Sequence, residues 1–352
     1  MPPSSVEYSD SSIWSDVIPI PFNDGPAPLA AIAYTEAYSE ATSYLRAVMA
    51  VDEHSPRVLD LTADIISMNP AHYTVWVYRM ATLKALDSPL EPELEWLNKV
   101  SMKNLKNYQI YGHRQNVISY FFPNPEAGRL PSELSSEPAF LEKILAKDSK
   151  NYHVWSYRQF LVRHFFLFDT NEERAWTELM MERDVRNNSA WNHRWFLTFG
   201  KVIDPTEGMG QECAPSANVD SETLHAEVEY AISKIRLAPQ NASPWNYLRG
   251  VLQKASGRED IEVALKRRVK SVAEEFIQDE EAVKSSHALE YVAESYEQGA
   301  AEAAQEGPVD EVEKAKRYFD LLSERYDPIR KRYWDWRRSQ LGVGRDGTVV
   351  SG

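Results

Sequence analysis

The chain has 352 residues, 43% of them hydrophobic and 26% charged, a soluble globular composition with enough length to bury a sizeable core. Its 14 glycines are few for an all-β fold, and its formal net charge of -14 offers no basic face of the kind that replaces counterions on nucleic acid. One cysteine, Cys213, excludes an internal disulfide and a Cys-rich zinc site and points to a reducing compartment, read as cytoplasmic.

In chain order, residues 1–12 are polar and acidic, without the basic start and apolar run of a cleaved signal, and read as a disordered tail. A first motif follows at His72-Tyr73-Thr74-Val75-Trp76-Val77-Tyr78-Arg79. Lys106-Asn107-Tyr108-Gln109-Ile110-Tyr111-Gly112-His113-Arg114 repeats it, with a tyrosine in the tryptophan place. A Pro- and Ser-rich insert covers Phe122 to Pro138, and Pro138 stands where a helix through Leu141, Ile144 and Leu145 should start. The motif returns at Asn151-Tyr152-His153-Val154-Trp155-Ser156-Tyr157-Arg158. Thr170 to Glu173 reads as a capping box ahead of a buried stripe of Trp176, Leu179 and Met180. A fourth copy runs Asn187 to Arg194, and a second insert spans Asp204 to Asp220. Leu224, Val228, Ala231, Ile232 and Ile235 then share one helical face, ahead of a fifth copy at Asn241 to Leu248. Trp334 to Arg337 is a degenerate last copy, and residues 341–352 read as a flexible tail.

The repeat is Asn, four residues on a Trp or Tyr, three more to Arg, with an aromatic or His before the Arg. Each unit reads as a helix, a short turn, and a second helix that opens on the motif. Such hairpins cannot bury their apolar faces singly, so they stack. The expected fold is all-α, a single helical-repeat domain over 13–340. The repeated Trp and Arg read as architecture: the Trp fills space between helices, and the Arg pairs with a carboxylate or carbonyl of the next hairpin.

The turns at Lys106-Asn107-Tyr108-Gln109 and Lys150-Asn151-Tyr152-His153 place a cation beside a helix N-terminus, a setting suited to an anion. Spacing alone favours a solvated lysine beside a cap residue, and it does not choose between Lys106 and Lys150. Gly342-Val343-Gly344-Arg345-Asp346-Gly347 fits the dinucleotide fingerprint only by letter, with no strand before it and no helix after it. No apolar stretch reaches the ~18 residues of a membrane span, and stable membrane insertion is not expected.

The Asn-Tyr-x-x-Trp-x-x-Arg repeat resembles that of protein prenyltransferase α subunits. The likeness runs from about Trp14 to about Arg338 and takes in Trp14-Ser15-Asp16-Val17-Ile18-Pro19, Asn23-Asp24-Gly25-Pro26, Asp184-Val185-Arg186-Asn187-Asn188-Ser189 and Ile329-Arg330-Lys331-Arg332-Tyr333-Trp334. Lys106-Asn107-Tyr108-Gln109 is similar to the branch shared by farnesyltransferase and geranylgeranyltransferase type I. The resemblance implies a right-handed superhelical crescent of tetratricopeptide-like hairpins around a β subunit in an obligate heterodimer. It implies that zinc on that β subunit binds the thiolate of a C-terminal CaaX cysteine, as in small GTPases, and it allows magnesium in the farnesyl reaction. The sulfur attacks C1 of farnesyl or geranylgeranyl diphosphate. By the same resemblance Lys106 contacts the diphosphate and stabilises the leaving group, Gln109 binds the peptide carboxylate, and Tyr108, Asn151, Tyr152 and His153 line the site. The departures are Tyr111-Gly112, His72 for Asn and Leu248 for Arg. The alternatives are the α subunit of Rab geranylgeranyltransferase, against which Lys-Asn-Tyr-Gln speaks, and a non-catalytic tetratricopeptide-like peptide-binding scaffold, against which the uneven spacing of copies speaks.

Overall fold

A computed structural model of the chain describes residues 8–23, 25, 28–30, 32–201, 219–302 and 309–341. Cys213, nearly all of the second insert and the Gly342–Gly347 run lie outside the described residues. The described residues are helical and contain no strand. Fifteen α-helices are present among them: α1 (Glu36–Ala50), α2 (Pro56–Met68), α3 (Tyr73–Ala85), α4 (Leu90–Lys103), α5 (Tyr108–Phe121), α6 (Glu137–Leu145), α7 (Tyr152–His164), α8 (Asn171–Arg183), α9 (Asn188–Phe199), α10 (Ser221–Leu237), α11 (Ala242–Ala255), α12 (Glu259–Glu275), α13 (Ser286–Glu302), α14 (Val309–Leu321) and α15 (Lys331–Gln340). After α1 they pair as hairpins, α2 with α3 through α14 with α15. The chain forms two compact units, Met1–Glu173 and Arg174–Gly352.

The second helix of a hairpin starts where the motif says it should. Asn107, Asn151, Asn187 and Asn241 are the N-caps of α5, α7, α9 and α11, and each side chain accepts from a backbone N–H of the first turn. His72, the departure in the first copy, precedes α3 without a side-chain cap. The motif Trp is fixed at its polar end as well as by burial. Trp76 Nε1 donates to Pro70 O at 2.9 Å, Trp155 to Ser149 O at 3.0 Å, Trp191 to Val185 O at 2.8 Å and Trp245 to Pro239 O at 3.0 Å. Each acceptor lies six residues back, in the turn that joins the two helices. The indole thereby ties its own hairpin shut.

The motif Arg ties one hairpin to the next, as expected, and its partner is a glutamate on the first helix that follows. Arg79 donates to Glu93 on α4, Arg114 to Glu137 on α6, Arg158 to Glu173 on α8 and Arg194 to Glu227 on α10. Arg79, Arg114 and Arg158 are buried, and so are all four glutamates. Three residues beyond a glutamate an aromatic covers the guanidinium: Trp96 lies 3.8 Å from Arg79, Phe140 4.3 Å from Arg114, and Tyr230 3.3 Å from Arg194.

The same carboxylate also takes the side chain just before the Arg of its own hairpin's motif. His113 Nε2 lies 2.9 Å from Glu93, Tyr157 Oη donates to Glu137 at 2.8 Å, and Tyr247 Oη to Glu227 at 2.6 Å. This accounts for His113, Tyr157 and Tyr247 at that place; in the first copy Tyr78 Oη donates instead to Val48 O and Glu53 O. Burial would raise the Glu93 carboxyl, but the His113 hydrogen bond and the Arg79 charge hold it at about 2. Burial of His113 lowers its own pKa, which leaves a neutral imidazole to donate.

Three sequence expectations need correction. Thr170 Oγ1 does accept from Glu173 N at 3.4 Å, but the Glu173 carboxylate is held by Arg158, so the box serves the hairpin junction. On α8, Leu179 faces solvent, and Met181 joins Trp176 and Met180 in the buried stripe. A further copy lies at Ser285: its Oγ donates to Pro239 O at 2.6 Å and accepts from Ala288 N, with Leu289 and Val292 buried in the Trp and Arg places. Where Leu248 replaces the fifth Arg, Arg249 reaches Glu294 on α13 instead.

Breaking a buried pair strands a charge, whereas replacing both members with apolar groups is close to neutral. Arg114→Met should therefore cost about 3–5 kcal/mol of unfolding free energy, and Arg114→Met/Glu137→Leu should recover most of it. Urea unfolding of the full chain measures both; equal losses in the single and double variants would contradict the clamp.

Candidate functional site

The first unit carries all the residues singled out above. The turn from α4 to α5 presents Lys106, whose side chain is 84% exposed with Nζ 3.7 Å from Asp148 Oδ2. An exposed pair of this length contributes less than about 1 kcal/mol, so the ammonium is free to exchange Asp148 for another anion. Tyr108 and Tyr152, the first residues of α5 and α7, are both exposed. His153 lies between tyrosines: its ring is 5.4 Å from that of Tyr152, 6.4 Å from that of Tyr108, and stacked on Tyr111 at 6.1 Å. Tyr73 opens α3 and is exposed in the same way, a third phenol that the sequence reading passed over.

Two of the expected residues are committed to the fold. Asn151 is buried; its Oδ1 caps α7 at His153 N and Val154 N, and its Nδ2 donates to Leu105 O at 2.8 Å and to Asp148 Oδ2 at 3.3 Å. It therefore fastens the start of α7 to the turn before α5. Gln109 is buried at the first turn of α5, and its Nε2 donates to Ala71 O at 2.9 Å, in the turn before α3. Its Oε1 is buried with no hydrogen-bond partner. One amide hydrogen of Nε2 is left for another acceptor.

The helix termini are also less open than the spacing suggests. Asn107 Oδ1 already accepts from Gln109 N and Ile110 N. An anion at this edge would be met chiefly by side chains: Lys106, Tyr108, Tyr152 and His153. Lys150 is exposed too and makes no ion pair among the described residues, so Asp148 is the feature that sets Lys106 apart.

Tyr111 explains part of this geometry. Its hydroxyl is buried without a partner, and burial raises its pKa to about 12. Six residues back, Leu105 O accepts from Asn151 Nδ2 without an indole beside it, whereas the equivalent Val185 O accepts from both Trp191 Nε1 and Asn241 Nδ2. The smaller ring stacks under His153. Among the described residues no group of three His, Cys, Asp or Glu side chains could hold a metal ion, and no helix is long and apolar enough to cross a membrane.

A family model described as the protein prenyltransferase alpha subunit repeat matches residues 55–86, 134–165, 170–199 and 224–255. The chain is 33% identical over 330 residues to the protein farnesyltransferase/geranylgeranyltransferase type-1 subunit alpha of Candida albicans, covering 93% of this chain and 97% of that one. It is 44% identical over 117 residues to the subunit of that name in Schizosaccharomyces pombe, a match that covers 33% of this chain and spans 40% of that subunit's length. The solved structure of Candida albicans protein geranylgeranyltransferase-I complexed with GGPP superposes with a TM-score of 0.76 at 32% identity, covering 96% of this chain and 99% of that one.

Asn151 acts as cap and staple together, whereas Asn107 makes only the cap bonds. Asn107→Ala should cost about 1 kcal/mol. Asn151→Ala should cost roughly 1–2 kcal/mol more, since Leu105 O loses its partner. Thermal unfolding reports both, with amide exchange at Gln109 and Ile110 for Asn107 and at His153 and Val154 for Asn151; equal costs would remove the staple.

Proposed function

The chain belongs to the protein prenyltransferase α-subunit family, in the branch shared by farnesyltransferase and geranylgeranyltransferase type I, and from that premise we propose that it supplies the diphosphate-binding half of a CaaX prenyltransferase site. The observation that carries the reading is the exposed edge of the first unit, where Lys106, Tyr108 and Tyr152 stand beside His153. An edge of this kind recognises an anion. The thiol, the hydrophobic cavity for the prenyl chain and the metal then come from elsewhere: the thiol from the CaaX protein, the cavity and zinc from a β subunit. Magnesium, in the farnesyl reaction, would sit with the diphosphate. The Candida structure was solved with a geranylgeranyl diphosphate, which fits an anionic ligand for this edge.

The residues of this chain would act on the leaving group. Negative charge grows on the diphosphate as the C1–O bond breaks. An ammonium and phenol hydroxyls aimed at it bind that charge more tightly in the transition state than in the ground state. Lys106 is the primary donor, with Tyr108 and Tyr152 beside it. His153 is held against Tyr111 and fills the floor. Asn151 holds α7 against the turn that carries Lys106, so its contribution is positional. Gln109 offers its second amide hydrogen to the terminal carboxylate of the CaaX peptide.

With the chain assembled with a β subunit, Lys106→Ala should lower the single-turnover prenyl-transfer rate roughly a hundred- to a thousandfold, the typical effect of removing one such donor. Binding of the diphosphate should weaken less. Lys150→Ala should change the rate much less. Equal losses at the two lysines would overturn the assignment of Lys106.

A further inference from the structure

Lys106 and Asp148 face each other from two different hairpins. Lys106 stands in the turn between α4 and α5, and Asp148 in the turn between α6 and α7. Asp148 Oδ2 lies 3.7 Å from Lys106 Nζ, and the same oxygen accepts from Asn151 Nδ2 at 3.3 Å. Asn151 Nδ2 also donates to Leu105 O, next to Lys106 in the chain. One amide group thus fixes both the turn that carries the lysine and the carboxylate that meets it.

The carboxylate is the better anchored of the two. Asp148 N donates to Ile144 O at 3.0 Å, and Asp148 O accepts from Asn151 N at 3.1 Å. The Asp148 side chain is 24% exposed, against 84% for Lys106. The pair is a fixed anion with a cation swung towards it on a long stem. Burial chiefly raises the pKa of the Tyr111 phenol, and Asp148 is near enough to add to that effect, so the carboxylate also borders the ring on which His153 is stacked.

The turn does not need the negative charge. Its backbone bonds and the staple from Asn151 to Leu105 are made without it, and a neutral amide oxygen would accept from Asn151 equally well. What the charge does is hold an ammonium. Lys150, two residues further on and also exposed, makes no ion pair among the described residues.

We propose that Asp148 is a positioning residue of the prenyl-transfer site: an internal counter-anion that holds the Lys106 ammonium while the site is empty, yields it to the diphosphate, and takes it back as diphosphate leaves. This rests on the reading of Lys106 given above. A carboxylate and a diphosphate compete for one ammonium, and a pair with one exposed member is weak enough to be exchanged. The competition weakens binding of the prenyl diphosphate and of the released diphosphate alike. Because the pair is already broken in the bound ground state, Asp148 acts on affinity and release more than on the chemical step. The released diphosphate carries more charge than the ester it came from, and a carboxylate waiting for the lysine eases its departure.

The test uses the heterodimer of this chain with a prenyltransferase β subunit and introduces Asp148→Asn into wild type, Lys106→Ala and Lys150→Ala. Asparagine keeps the shape and an acceptor for Asn151, so Asp148→Asn should unfold at the wild-type temperature. Equilibrium binding of farnesyl diphosphate and of inorganic diphosphate is measured for each. Loss of one negative charge lowers repulsion in every background; the ion pair adds a further factor only where Lys106 is present. Asp148→Asn should therefore tighten both ligands about two- to fivefold more in wild type and in Lys150→Ala than in Lys106→Ala, the worth of a pair of this kind. The double-mutant cycle isolates that factor from simple repulsion. Release of diphosphate should slow correspondingly, and the single-turnover rate at saturating ligand should fall far less than with Lys106→Ala. Equal tightening in all three backgrounds, or weaker binding in Asp148→Asn, would overturn the proposal and leave the role of Lys106 standing. A Lys106→Ala heterodimer that binds and transfers as wild type would sink the functional reading and the proposal with it.

Discussion

A buried carboxylate at each of four junctions, from α3/α4 to α9/α10, holds the hairpins in register. Glu93, Glu137 and Glu227 each accept from the guanidinium of the hairpin before and from the His or Tyr of their own second helix. Apolar faces alone would let neighbouring hairpins slide, because hydrophobic contact is not directional. A buried charge with a fixed partner geometry permits one register, and an error strands it at a cost of several kcal/mol. The aromatic one helical turn beyond Glu93, Glu137 and Glu227, stacked on the guanidinium, excludes water from the pair. Such clamps add little net stability over an apolar junction; their role here is to define which helix faces lie outward.

Those outward faces include the candidate edge. With a Trp indole closing four of the hairpins and an Arg–Glu clamp at four of the junctions, the starts of α3, α5 and α7 are left at the surface. They carry Tyr73, Tyr108 and Tyr152; the same position in the second unit is Asn188 and Ala242. Two amides then spend their hydrogen bonds between hairpins, Gln109 to Ala71 and Asn151 to Leu105. The edge thus presents two exposed lysines, Lys106 and Lys150, and several phenols to whatever covers them.

Much of this was legible in the sequence because the signals are local. Asn, Trp and Arg recur at fixed offsets within one helix, so the hairpin repeat, the caps and the all-α class could be read directly. The glutamates could not be, because their distance from the Arg varies: 14 residues from Arg79 to Glu93, 23 from Arg114 to Glu137, 15 from Arg158 to Glu173 and 33 from Arg194 to Glu227. A glutamate three residues before an aromatic on each first helix was the available signal. The Ser285 copy escaped because a serine, a leucine and a valine do the work of Asn, Trp and Arg there. At the site, Lys106 and Lys150 have the same neighbours in sequence, and only the approach of Asp148 to Lys106 distinguishes them. Asn151 and Gln109 could be placed at the edge by their position but not assigned to the staples they make, since Leu105 and Ala71 are 46 and 38 residues away.

The central claim is that this chain is half of an active site. Titrating a prenyltransferase β subunit into a fixed amount of the chain, with prenyl diphosphate and a CaaX peptide present, measures it directly. The account predicts no transfer by the chain alone and activity that rises to a plateau at one β subunit per chain. Full transfer by the chain without a β subunit would contradict it.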